Sequence, residues 1–423
     1  MNEELPLQNA KRRRLLASSA GALAMVGMGT HARVTWAGDA PAAASTAQPA
    51  AAAGSAAASK AKPLPAYAAW KNADDLIVHS ANTIETKRTA FGDGVITPSS
   101  QLYVRNNVPP PNASVLDDVD AWEVSIEGVK SPRTFTVGEL KQMGVETMAM
   151  VLQCSGNGRK FFAHKPSGTP WDVGAAGCVM WSGIPVRDVI DAVGGVAGDA
   201  PYMTGRGGET LPEGIDPNTL MVERSVPVDA MKDAMLAWEM NGEPISLAHG
   251  GPLRLIVPGY SGVNNVKYIK RLAFTKEQSP AMIQQARYRF APLGVKETPD
   301  HPAIWKMDVK SWINGPESGS QVSAGKRVIK GVAFGGTDAV KRVEVSTDGG
   351  KSWKDAKFVG PDLGKYAWRQ FALMVDLAPG EYRWVSRATD AQGNVQPEQR
   401  VENAAGYMNS SWRDHGLDIK VIA

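Results

Sequence analysis

Cysteine is scarce: the 423 residues hold two, Cys154 and Cys178. That excludes a disulfide-rich scaffold and leaves room for one bridge at most, the pairing open to an exported chain. No Cys-x-x-Cys-His occurs, so the chain attaches no covalent haem. Histidine is sparse as well, six in all, and their spacing singles out no base for a cysteine nucleophile. Charge is modest and mixed, with 21% charged residues, a net +3 and no long run of one sign. That balance implies no polyanion partner and argues against a nucleic-acid binder. The mildly apolar run from Ala17 to Gly29 falls short of the ~20 residues that span a bilayer. Tryptophan is plentiful instead, twelve in number, enough for large cores and pocket walls.

The length suggests two or three domains. At the start, Lys11-Arg12-Arg13-Arg14-Leu15-Leu16 precedes that weakly hydrophobic run. This is the signature of a twin-arginine leader, expected to be cleaved near Ala37 after export of folded protein to the periplasm. An uncleaved anchor is the alternative. Residues 38–61 are rich in Ala, Ser, Gly and Pro and read as a flexible tether. The expected organisation is a leader over 1–37, a linker and N-terminal extension over 38–75, a catalytic domain over 76–295 and an all-β domain over 296–423.

Met148 to Leu152 is a short apolar run and reads as a buried strand ending at Cys154. The loop Ser155-Gly156-Asn157-Gly158 follows, with residues suited to tight or positive-φ geometry, and closes on Arg159. A thiolate held at a strand end is a soft ligand for a redox metal, and a nearby guanidinium favours its ionised form. A disulfide, a catalytic nucleophile and a plain hairpin turn are the other readings. Elsewhere, Leu102–Asn107 alternates and should be a strand that Pro109-Pro110-Pro111 stops. Trp122–Gly128 should be a strand, Thr136–Leu140 the start of a helix, and Ile184–Val193 a helix. Met231–Met240 fits a helix or a strand entry, Asp75–Ser80 a strand or turn, and Thr83–Arg88 is simply polar. His249 and Arg254 flank Gly250-Gly251-Pro252, a turn able to hold a phosphate through backbone N–H groups and charge. Beyond His301 short alternating strands recur, with a hairpin signal at Asp348-Gly349-Gly350, and point to an immunoglobulin-like sandwich.

Cys154-Ser155-Gly156-Asn157-Gly158-Arg159, coming after an apolar strand, resembles the molybdenum-cysteine loop of the sulfite oxidase family. Four further segments stand in the family's order: Tyr103-Val104-Arg105-Asn106, Leu236–Pro244, His249–Arg254 and Val266-Lys267-Tyr268-Ile269. The resemblance covers most of the chain beyond about residue 76. It implies an α+β fold, a molybdopterin-binding domain followed by an all-β immunoglobulin-like dimerisation domain. It also implies one pterin per molybdenum, with Cys154 as the metal ligand, and no haem in this chain. The cofactor would be bound by Asn106, His249, Arg254, Val266 and Lys267. Arg105, Arg159 and Tyr288 would meet the substrate, and Trp171 would wall its pocket. Cys178 matches no ligand position and reads as a small buried filler.

Three departures mark this sequence. The family often has histidine where Asn107 stands. The segment around Arg287-Tyr288-Arg289-Phe290 is one residue shorter. Near the C-terminus the family's Trp-Asn-x-Arg-Gly is replaced by Glu402-Asn403-Ala404-Ala405-Gly406, so Ala405 takes the place of an anion-binding arginine. Losing such a contact removes roughly 1.5–3 kcal/mol of anion binding. This pattern resembles the sulfane dehydrogenase branch, whose substrate is a sulfane sulfur on a carrier protein and whose electrons pass to a c-type cytochrome. The expected assembly is a homodimer or a heterotetramer with that cytochrome. A free-sulfite dehydrogenase is the second expectation, and a non-catalytic carrier-binding subunit the third.

Overall fold

The apolar run that ends at Cys154 forms the strand Glu146–Gln153, and it pairs antiparallel with Ala176–Pro185. The computed structural model describes residues 62–423, so the leader, its cleavage point near Ala37 and the tether to Ala61 lie outside the described residues. Ala176–Pro185 pairs in turn with Met235–Met240, which carries Glu243–Pro244 and Arg254–Ile256. Side chains alternate across a strand. Met150, Leu152 and Cys154 therefore enter one core with Trp171, Trp181 and Ile256. Ala149 and Val151 enter another, with Cys178, Trp312, Phe334 and Trp368. Burial on both faces explains why this segment is apolar without alternation.

The same alternation disposes of the disulfide reading. Cys178 sits opposite Val151 in the ladder, on the face away from Cys154, and both cysteines are free and buried. Burial pushes the Cys178 thiol up to about 12, as suits an inert apolar filler.

A second sheet has the order Arg133–Thr136, Glu123–Glu127, Ile269–Thr275, Tyr202–Gly207, Glu223–Pro227. Its Ile269–Thr275 strand runs parallel to Glu123–Glu127 and antiparallel to Tyr202–Gly207. The helix Val137–Met143 begins in a capping box, with Thr136 and Glu139 satisfying each other's backbone donors. The second helix is Val186–Ala192 and starts later than expected, because Ile184 and Pro185 complete the preceding strand. Met231–Met240 resolves into the end of a 3-10 turn, Val228–Lys232, and the strand Met235–Met240. A small third sheet joins Leu76–Ser80, Thr83–Thr86 and Val104–Arg105. Thr83–Thr86 is a fully buried strand although its sequence is polar. Glu85 accepts the backbone N–H groups of Asp172 and Gly174, so its burial is compensated.

The C-terminal region is a two-sheet sandwich. One sheet holds Lys310–Ile313, Gly325–Phe334, Arg369–Leu377 and Lys357–Val359; the other holds Gln321–Ser323, Leu417–Ile422, Gly380–Asp390, Val340–Ser346 and Lys354–Asp355. Ile329, Phe371, Val343, Trp384 and Leu417 fill the space between them. Trp312 and Trp368 reach back to pack under the Cys154 strand. Truncating either to alanine should cost about 3–5 kcal/mol. The sandwich thus buttresses the far side of the strand that presents the thiol.

Candidate functional site

The cysteine loop is pinned before any ligand arrives. The Cys154 N–H donates to Ala175 O over 2.9 Å, and the Asn157 N–H donates to Cys154 O over 2.9 Å. The Asn157 side chain bridges Gln153 Oε1 at 2.9 Å and the Ala175 N–H at 3.2 Å. Gly158 has φ 90°, and a Cβ there would lie 3.0 Å from Asn409 and 3.1 Å from His415. Both the left-handed backbone and the close approach require glycine. Cys154 is thereby a nearly buried thiol on rigid backbone, at the wall of an open-sided cavity.

Arg105, Asn106, His249, Arg254, Val266, Lys267 and Tyr288 line that same cavity. The small sheet delivers Arg105 and Asn106 from one side. The Arg254–Ile256 strand and the 3-10 turn Leu247–His249 deliver the basic group from the other. A Cβ at Gly250, φ 101°, would sit 2.6 Å from the Lys267 side chain, so glycine lets these two segments meet.

One pole of the cavity is a cluster of basic side chains with no bonded carboxylate among the described residues, Glu209 acting on Lys267 only at longer range. Lys267 Nζ donates to Asn106 Oδ1 and to Ala248 O, each at 2.6 Å. Arg254 donates to His249 O at 2.8 Å and to Asn265 O at 3.2 Å. Lys71 Nζ lies 3.0 Å from His249 Nε2. Among the described residues no carboxylate bonds any of the four. Burial drives Lys267 and His249 well below their usual values; Arg254 adds to the shift of the first and Lys71 to that of the second. Burial likewise lowers Lys71 to about 7 and Arg254 to about 10. The amide nitrogen of Asn106 is buried with no partner. Buried basic groups whose charge is opposed by burial, together with an orphan donor, are what an anionic ligand relieves. Glu209 is the one acid on the cavity wall, and burial raises it to about 7.

The opposite pole is shaped by Asn107. Its Oδ1 accepts from Arg105 Nη2 at 2.8 Å and from the Tyr288 hydroxyl at 3.1 Å. Arg105 also donates to the carbonyl of Asn106. Burial opposes the charge on Arg105, yet Tyr288 and Cys154 raise its pKa overall. Tyr288 holds φ 53°, a left-handed backbone rare for an aromatic residue and typical of functional loops.

Two expected substrate contacts stand behind the wall instead. Arg159 is buried, donating to Ala405 O at 2.9 Å and Thr169 O at 3.0 Å, with Tyr407 at 5.2 Å. Trp171 is fully buried and packs edge-on to Tyr103 at 6.4 Å and to His79 at 5.3 Å. The sequence reading missed Lys71, Glu209 and Tyr407. Lys71 belongs to no motif and sits in the N-terminal extension. Glu209 follows Gly207-Gly208, a signal for close backbone approach that was available.

Residues 110–283 match the family described as "Oxidoreductase molybdopterin binding domain", and residues 301–421 match "Mo-co oxidoreductase dimerisation domain". Chicken (Gallus gallus) sulfite oxidase is 32% identical over 339 residues, covering 75% of this chain and 72% of that one. Arabidopsis thaliana sulfite oxidase is 30% identical over 360 residues, covering 78% and 89%. The crystal structure of the sulfane dehydrogenase SoxCD from Paracoccus pantotrophus superposes with a TM-score of 0.66 at 25% identity, covering 81% of this chain and 87% of that chain. The residues present fit a molybdopterin. A free thiol on rigid backbone suits the metal, and the buried basic groups with the orphan Asn106 donor suit a phosphate-bearing pterin.

Proposed function

The chain belongs to the sulfite oxidase family of molybdopterin oxidoreductases, and from that premise we propose that it oxidises a sulfane sulfur borne on a carrier protein. The observation that carries this reading is the poverty of cations where substrate would bind. Arg105 is the one arginine outside the phosphate pole that lines the cavity, Ala405 offers no charge, and Arg159 is turned to backbone carbonyls. Such a site suits a bulky or weakly charged sulfur group better than a small free dianion. The likeness to the sulfane dehydrogenase supports the same reading.

In this reading Cys154 holds the metal, while Asn106, His249, Arg254, Val266 and Lys267 hold the pterin and its phosphate. The molybdenum cofactor, one pterin per metal, supplies two-electron oxygen-transfer chemistry at sulfur that side chains lack. Arg105 orients the anionic end of the substrate. Asn107 holds both Arg105 and the Tyr288 hydroxyl, so these donors are set before substrate enters. Electrons would pass to a c-type cytochrome, the acceptor that the sulfane dehydrogenase resemblance implies. Export to the periplasm by the twin-arginine route, pairing through residues 301–421 and assembly with the cytochrome complete the proposal.

Free sulfite oxidation is the second reading, favoured by the identity to the chicken and Arabidopsis enzymes. Steady-state kinetics with cytochrome c as acceptor separate the two. Turnover of a carrier cysteine bearing sulfane sulfur, with sulfite oxidised only at high concentration, supports the proposal. Efficient sulfite turnover at low concentration overturns it.

A further inference from the structure

The segment from Asn403 to Ser411 crosses the cysteine loop and is bonded to it on both sides of Tyr407. The Met408 N–H donates to Ser155 O at 2.9 Å, Asn409 Nδ2 donates to Gly158 O at 3.0 Å, and Arg159 Nε donates to Ala405 O at 2.9 Å. Asn403 closes the turn, accepting from the Tyr407 N–H and donating to Tyr407 O, each at 2.9 Å. The Tyr407 ring is held in one place by this framework.

That ring lies 5.2 Å from Tyr288 with the two planes 15° apart. The Arg159 guanidinium lies over the Tyr407 ring at 5.2 Å, and that of Arg224 lies over Tyr288 at 5.7 Å. Tyr288 borders the cavity and Arg159 does not. Tyr407 packs against both. Among the described residues no carboxylate hydrogen-bonds Arg159, whose bonds go to carbonyls, although its charge reaches Glu297 at longer range. It is a buried charge set back from the cavity, against the Tyr407 ring.

We propose that Tyr407 is a specificity-determining residue that screens Arg159 from the reacting sulfur, so that the site rejects small free oxyanions and accepts a sulfane sulfur carried on a larger molecule. The inference rests on the substrate reading above and adds the residue that enforces it. An unscreened guanidinium would add charge-assisted hydrogen bonds to a dianion and strengthen its binding about ten-fold or more. A phenyl ring alone suffices as the screen, so the hydroxyl of Tyr407 is dispensable.

The test uses inorganic sulfate, a redox-inert dianion, titrated calorimetrically into the oxidised holoenzyme. Y407V should bind sulfate about ten-fold or more tightly than the parent. Y407F should match the parent, and Y407V/R159M should lose the gain. R159M alone, on the screened background, should change sulfate affinity by about two-fold at most, whereas a substrate-facing arginine would cost about ten-fold. Molybdenum content and melting temperature check that each variant is folded and loaded. The R159M arm keeps the proposal open to refutation even where Y407V does not fold. Unchanged affinity in folded Y407V, an equal gain in the double variant, or a ten-fold loss in R159M would overturn the proposal. Sulfate is not turned over, so this outcome is independent of whether carrier-bound sulfur is the substrate, which the kinetic comparison decides.

Discussion

The Tyr288 hydroxyl donates to the Asn107 amide oxygen over 3.1 Å, joining two residues 181 positions apart in the chain. The same oxygen receives Arg105 at 2.8 Å, so one amide aligns both donors of the substrate pole. Asn107→Leu should leave two buried donors without their acceptor. A loss of about 1–3 kcal/mol at the site corresponds to roughly a 10- to 100-fold fall in kcat/KM. Asn107→Asp keeps an acceptor and should retain more activity than the leucine variant. Steady-state kinetics on holoenzyme check the order.

The cation pole makes a prediction about pH. Lys71 falls from 10.5 to about 7 on folding because it is buried. Between those values the unfolded chain binds the proton and the folded chain does not, so stability rises with pH in that window. Cofactor-free protein should therefore be more resistant to urea at pH 9 than at pH 7. Lys71→Met should flatten this contribution. Buried tyrosines act in the opposite sense above pH 10; Tyr67, raised to about 12 by burial, is one of them. The rise is expected to end near there.

Lys267 gives a sharper contrast between the empty and loaded protein. It is a buried amine bonded to neutral oxygens alone, Asn106 Oδ1 and Ala248 O. Replacing such a group with methionine should leave cofactor-free stability unchanged or raise it, by up to about 4 kcal/mol. The same variant should retain less pterin after purification, since a phosphate loses its main cation. Fluorescence of released, oxidised pterin and a melting curve measure the two effects separately.

Cys178 should be dispensable for chemistry. Its thiol is fully buried in an apolar cluster and pushed up to about 12 by that burial. Cys178→Ser places a hydroxyl among apolar side chains and should cost about 1–3 kcal/mol of stability. Specific activity per molybdenum should stay at the parent level.

Much of this fold was legible because its strands are patterned in the ordinary way. The run 148–152, the alternating Trp122–Gly128 and the Asp348-Gly349-Gly350 turn each appear where the pattern placed them. Thr83–Thr86 was not legible, because its burial depends on backbone donors supplied by Asp172 and Gly174, almost ninety residues later. The start of the second helix was misplaced for a related reason. Ile184 and Pro185 fit a helical spacing but are claimed by pairing with Leu236 and Met235. At the site, residues carried by motifs meet in one cavity, as Cys154, His249, Arg254 and Lys267 do. Lys71 and Tyr407 carry no local pattern. They reach the site through tertiary contacts with His249 and Tyr288, which no single stretch of sequence encodes. Arg159 shows the converse, since a motif names the residue and the fold decides which way it faces.

Molybdenum X-ray absorption on the holoenzyme and on Cys154→Ser tests the central claim most directly. The account predicts that the parent shows a protein thiolate among the sulfur neighbours of the metal. It predicts that the serine variant keeps its fold, loses that one sulfur scatterer and loses turnover. An identical sulfur shell in both proteins, or retained turnover in the variant, would contradict it.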